Sequence, residues 1–121
     1  MHSISAHFKN HPLRFDLILL GLGDNAHTAS LFPFTPVIKE DAATVSEVYL
    51  NEEKEYRITM SAPLINQAKH IAFLVFGKNK AEALEQVING ERNADKYPAQ
   101  LIRLKNGEVH WFLDGAAAEL L

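Results

Sequence analysis

Cysteine is absent from the 121 residues, which excludes disulfide bonds, a thiolate nucleophile and cysteine-based zinc sites. A surplus of positive charge is absent as well. Twelve lysines and arginines face 15 acidic residues, for a formal net charge of −3, and such a balance supplies no general attraction to nucleic acid or to an anionic membrane. No apolar run approaches the roughly 20 residues of a membrane-spanning helix. The amino-terminal stretch Met1–Leu13 is polar and histidine-rich, unlike a signal peptide, so the cytoplasm is the expected location. Glycine (6) and proline (5) are scarce, and no repeat, low-complexity tract or linker divides the chain.

What remains is an ordinary globular composition, 47% hydrophobic and 22% charged, in a chain long enough for one small domain with a marginal core. We divide it into a polar segment, residues 1–14, and a single domain, residues 15–121. Two apolar runs, Phe15–Leu20 (broken only by Asp16) and Ile71–Phe76, read as buried parallel strands. Between them, Ala43–Leu50 alternates like a strand with one wet face, and Arg57–Met60 is a short strand. Ser61 caps a helix with Pro63 in its first turn. Lys78–Asn89 predicts a helix burying Ala81, Leu84, Val87 and Ile88 and stopping at Gly90. Val109–Leu113 is the last strand, and Asp114 caps a closing helix, Ala116–Leu121. Strands alternating with helices predict an α/β fold with a mainly parallel sheet flanked by helices. Phe73, Phe76 and Trp111 are expected in the core.

The densest signal follows the first strand: Gly21-Leu22-Gly23-Asp24-Asn25-Ala26-His27-Thr28-Ala29-Ser30-Leu31-Phe32-Pro33. A short helix is expected from Asn25 or Ala26, stopped by Pro33 and Pro36. Gly21 and Gly23 allow a tight turn, and their amides are candidates for holding an oxyanion. His27 falls just beyond a strand's carboxyl end, where open α/β sheets bind ligands. Its imidazole suits a general base near neutral pH; a helix-start histidine bonded to a nearby carbonyl is the plainer alternative. A base needs an orienting partner. Asn25 can orient the ring without neutralising it, and Asp24 can do both if the turn aims it inward, a solvated turn aspartate being the other reading.

Two cations are singled out. Lys80 opens a helix, where a positive charge opposes the helix dipole and hints at a bound anion, whereas Lys78 reads as solvated. Arg57 reaches either an anionic ligand or a surface partner such as Glu53 or Glu55. His2, His7, His11, His70 and His110 show no metal-ligand spacing along the chain, so no metal is assigned.

The glycine–histidine run resembles the 6-phosphogluconolactonases, which carry Gly-x-Gly-x-Asp-Gly-His-Thr-Ala-Ser-Leu-Phe-Pro after a strand. Asn25 stands where that family usually has Asp, and Ala26 where it usually has Gly. The likeness continues through Arg57-Ile58-Thr59-Met60-Ser61, Gly77-Lys78-Asn79-Lys80-Ala81, Pro98-Ala99 and Trp111-Phe112-Leu113-Asp114-Gly115-Ala116-Ala117, spanning residues 15–121. It implies part of the fold shared with glucosamine-6-phosphate isomerases and ribose-5-phosphate isomerases, here the carboxyl-terminal portion. It also implies hydrolysis of 6-phosphoglucono-δ-lactone in the pentose phosphate pathway, with His27 as base, Lys80 on the substrate phosphate and no cofactor. The family is about twice this length and supplies a further Ser/Gly-rich phosphate-binding turn, so a homodimer or a complementing amino-terminal half is the expected partner. Two alternatives stay open: a non-catalytic sugar-phosphate binding module, and a dinucleotide-binding domain suggested by Gly21–Ala26. The second lacks context. Asp41 has the right offset for a ribose contact, but Pro33 and Pro36 interrupt the helix and no apolar strand precedes it.

Overall fold

The computed structural model of the protein describes residues 1–9 and 11–121. Strands β1 (Leu17–Leu20), β4 (His70–Val75) and β5 (Glu108–Leu113) form a parallel sheet in the order β1-β4-β5, while β2 (Val45–Leu50) and β3 (Glu55–Met60) pair antiparallel as a hairpin. Helices α1 (His2–His7), α2 (Ala62–Ile65) and α3 (Ala81–Asn89) complete the regular structure with three short 3-10 turns. The expected α/β class with a mainly parallel sheet holds.

Register decides which side chains meet. Ile18 pairs with Ile71, Leu20 with Phe73, Ile71 with Val109, Phe73 with Trp111 and Val75 with Leu113. Because paired residues share a face and alternate along a strand, all of these point to one side, where Leu31, Leu84, Ala83, Ile65 and Ile102 close the core over them. Phe73 and Trp111 stack nearly parallel at 4.1 Å. α3 presents Ala81, Ala83 and Leu84 to the interior, whereas Ile88, expected there, is exposed.

The opposite face is bare. Leu17 and Leu19 of β1 are 55% and 61% exposed, and Leu74 and Phe112, which pair with each other, are exposed beside them. Neither apolar run is therefore buried on both sides as expected. β1 is an edge strand, and only its Ile18 and Leu20 face the core. Phe76, assigned to the core from sequence, is exposed as well.

Two expected helices are replaced by turns. Ala26 and Ala29 adopt left-handed backbone, φ 65° and 51°, so residues after Asn25 cannot wind into a right-handed helix. At the carboxyl end, residues 115–120 form hydrogen-bonded turns, tied by Ala118 N–H to the Asp114 carbonyl and by Leu121 N–H to that of Ala118. The short α2 is as expected: Ser61 Oγ accepts from Leu64 N–H, with Pro63 in the first turn. The amino-terminal segment carries α1 and is pinned by Arg14, whose guanidinium donates to the Gln67 and Asn106 carbonyls. No helix among the described residues is long and apolar enough to cross a membrane.

Candidate active site

The loop leaving β1 is built around the His27 ring. Asn25 Oδ1 accepts from the His27 backbone N–H at 3.1 Å and lies 2.6 Å from His27 Nδ1. With that oxygen as acceptor, Nδ1 carries the proton and Nε2 keeps its lone pair. Asn25, not Asp24, is the orienting group; Asp24 is exposed and acts on the ring through charge. On its other side the imidazole stacks on Phe32, centroids 4.2 Å apart and planes 17° from parallel.

Gly23 matters for space. A β-carbon there would sit 2.1 Å from His27 Nδ1 and 2.9 Å from Asn25 Oδ1, so only glycine lets the ring lie against the backbone. The expected oxyanion role of Gly23 is corrected: its N–H donates to the His27 carbonyl at 2.8 Å and is committed to closing the loop. Gly21 meets nothing that a β-carbon would touch, and its carbonyl accepts from the buried Thr28 hydroxyl at 2.7 Å.

Side chains that sequence reasoning passed over hold this loop. Thr59 of β3 is buried, and its Oγ1 accepts from Ser30 N–H at 3.1 Å. Ala99 N–H donates to the Ala26 carbonyl and Phe34 N–H to that of Asp95. The separated motif fragments Arg57–Ser61 and Pro98–Ala99 thus converge on the histidine loop as its clamps, a signal readable only once the spacing had a fold to refer to. The left-handed Ala26 costs about 1–2 kcal/mol relative to right-handed backbone, while its buried methyl returns about 0.8 kcal/mol.

Charge converges on the same ring. Partial burial lowers the His27 pKa below its ordinary 6.5, and the Lys80 ammonium lowers it further; Asp24 opposes this, Arg57 adds to it, and Glu53 opposes again. Neutral imidazole is the form favoured at pH 7. Lys80 is half-buried at the entry to α3. Its loop starts at Gly77, whose φ of 101° suits glycine alone. Gly77 N–H donates to the Asp114 carboxylate, which also accepts from Ala117 N–H. These two backbone donors, Ala117 foremost, hold Asp114 below the usual carboxylate range, so the end of β5 latches the Lys80 loop to the sheet. Arg57 takes the surface-pair reading at its guanidinium, which donates to Glu55 Oε1 from Nε and from a terminal nitrogen at 2.6 Å. Lys78 is exposed, as expected.

A hollow of about 500 Å³ adjoins Phe32 and Asn25 and is closed by the hairpin residues Tyr49, Asn51 and Glu53. A larger cavity of about 550 Å³ lies between Asp24, Phe34, Glu82 and Tyr97; His27, Arg57 and Lys80 do not line it. No helix starts at the Gly21–Ala26 turn, which removes the helix terminus that a dinucleotide pyrophosphate needs and with it the dinucleotide reading.

A parallel sheet whose carboxyl edge carries a glycine-packed imidazole held by Asn25 defines an α/β protein with the kind of edge at which open α/β sheets bind ligands. Comparison narrows the class: residues 1–111 match the family described as glucosamine-6-phosphate isomerases/6-phosphogluconolactonase, and the chain belongs to it. It is 46% identical over 110 residues to the 6-phosphogluconolactonase of Synechocystis sp., covering 88% of this chain and 43% of that protein. It is 41% identical to the 6-phosphogluconolactonase of Haemophilus influenzae, covering 88% and 46%. The solved 6-phosphogluconolactonase of Trypanosoma brucei superposes with a TM-score of 0.77 at 32% identity, over 89% of this chain and 43% of that one. The chain spans less than half the length of these relatives.

Proposed function

We propose that the chain contributes the catalytic histidine and two phosphate-binding cations to a 6-phosphogluconolactonase, acting in the cytoplasm on 6-phosphoglucono-δ-lactone. The observation that carries this reading is the Asn25–His27–Lys80 arrangement: a ring with Nδ1 protonated, Nε2 free, and a cation beside it that favours the neutral base. In this reading Nε2 takes a proton from water as the water oxygen bonds to the lactone carbonyl carbon. The tetrahedral intermediate then breaks its bond to the ring oxygen, which leaves with the proton returned from the imidazolium. Asn25 holds the ring throughout. Lys80 and, after exchange of its Glu55 contact, Arg57 receive the phosphate. Of the two glycines, Gly21 is the one left to offer an amide to the oxyanion.

The test is hydrolysis of the lactone above its spontaneous rate, together with titration by 6-phosphogluconate watched at the His27 imidazole and Lys80 ammonium NMR signals. Shifts at both residues in the parent chain, with the His27 shift lost in Lys80→Met, support the reading. Binding without turnover would favour the alternative of a non-catalytic sugar-phosphate module.

Two outcomes follow from the electrostatics. Lys80→Met should raise the His27 pKa toward 6.5 and move the acid limb of kcat/KM to higher pH with it, since protonated imidazole is an inactive base. An unmoved His27 titration would separate Lys80 from the site. Asn25→Asp should raise the same pKa further, because a carboxylate would stand where Oδ1 now lies 2.6 Å from Nδ1. It should also increase kcat by about tenfold or more, since a charge that stabilises imidazolium acts mainly in the transition state. A fall in kcat would show that the Asn25 amide has a role a carboxylate cannot fill.

A further inference from the structure

The amino ends of β4 and β5, opposite the edge that carries His27, bring together His70, Glu108 and His110. His70 opens β4 and pairs in register with Glu108, which opens β5; His110 follows two residues on and shares their face. The donor atoms form a near-equilateral triangle: His70 Nδ1 to His110 Nε2 is 3.4 Å, His110 Nε2 to Glu108 Oε2 is 3.5 Å, and His70 Nδ1 to Glu108 Oε2 is 4.0 Å. An ion on the axis of that triangle, slightly out of its plane as tetrahedral coordination requires, stands about 2.2 Å from the three atoms, close to zinc–imidazole and zinc–carboxylate bond lengths. Among the described residues this is the one group of three such side chains whose ligand atoms lie this close.

We propose that His70 Nδ1, Glu108 Oε2 and His110 Nε2 bind one Zn²⁺. Two imidazoles and a carboxylate select zinc or a neighbouring late transition metal over magnesium or calcium, which prefer all-oxygen shells. Three protein ligands leave the fourth tetrahedral position to water or to a donor from a partner, on the same sheet face that carries Leu17, Leu19, Leu74 and Phe112. The ion cross-links β4 and β5 through their side chains at the end where their backbone ladder begins. No regular spacing along the chain reveals the set, because the third ligand comes from a strand 40 residues away in sequence.

Isothermal titration of the 121-residue chain with zinc sulfate, and Co²⁺ substitution read by visible absorption, test the assignment. His2, His7 and His11 are further imidazoles near the amino terminus, so a His2→Ala/His7→Ala/His11→Ala triple variant is titrated in parallel. The expected result is one Zn²⁺ per chain in both proteins, a thermal midpoint that rises with zinc concentration, and intense four-coordinate Co²⁺ bands. His70→Ala, His110→Ala and Glu108→Gln should each weaken binding by more than the roughly 10–100-fold that loss of an outer-shell partner costs. All three side chains are exposed, and circular dichroism should show these variants folded. Absence of binding at zinc concentrations on the order of 100 μM, binding unchanged in His70→Ala and His110→Ala, or binding lost in the triple variant would each overturn the site.

Discussion

Alanine at position 27 is expected to lower lactone hydrolysis by roughly two to four orders of magnitude, the usual contribution of a positioned general base, while leaving the protein folded. The ring is half-exposed at the sheet edge, and its main packing contact is the stack on Phe32, worth about 0.5–1.5 kcal/mol for an aromatic pair. Gly23→Ala should reproduce much of the catalytic loss without touching the imidazole chemically. Its β-carbon would occupy the place of Nδ1, and the ring would have to leave both Asn25 and its aim toward the substrate. Initial rates corrected for spontaneous hydrolysis, taken with thermal melts, read both effects. Added imidazole should partly restore His27→Ala, because the space of the ring between Gly23 and Phe32 is left open and only the base is gone; it should restore Gly23→Ala less, because the displaced ring still occupies space. A His27→Ala rate within a few-fold of the parent would remove His27 from the mechanism.

The parallel strands and the glycine turn that delivers His27 were legible in the sequence because each is a local pattern, an apolar run ended by glycine, whereas the helix expected after Asn25 was not there to be stopped by a proline. The covering of the sheet was not legible. Apolar runs such as Phe15–Leu20 look alike whether both faces are packed or one is bare, since composition does not record what lies opposite Leu17 and Leu19. The orienting role of Asn25 over Asp24 also had to come from three dimensions. It depends on the left-handed turn at Ala26, a conformation that an alanine does not advertise. Thr28 and Thr59 were silent for a similar reason, as buried hydroxyls that tie one loop to another and show no spacing of their own. The zinc triad is the extreme case, because a one-residue slip in strand register would turn His110 and Glu108 to the other face.

The chain on its own should self-associate and bind phosphorylated sugar acids weakly. Leu17, Leu19, Leu74 and Phe112 form an exposed apolar face on a parallel sheet, an arrangement that parallel sheets nearly always cover. The occupant we propose is polypeptide equivalent to the part of the relatives that this chain does not match, since it spans only 43% and 46% of the two lactonases compared. Without that cover the face meets its own copies. Light scattering coupled to gel filtration should show mass rising with concentration, and Leu19→Lys with Phe112→Lys should return the chain to a monomer, both positions being solvent-exposed and outside the histidine loop. Substrate affinity should suffer for a separate reason. Lys80 and Arg57 are the two cations acting on His27, and Arg57 is engaged by Glu55, so the phosphate meets little of a complete clamp. Each charge-assisted hydrogen bond is worth about 1.5–3 kcal/mol, and the absence of two or three of them corresponds to a loss of roughly two to six orders of magnitude in affinity. Supplying the remaining polypeptide from a relative should therefore suppress self-association and restore binding together. A monomer at high concentration that hydrolyses the lactone at micromolar substrate would show instead that the 121 residues hold a complete site and that the bare face is a stable surface.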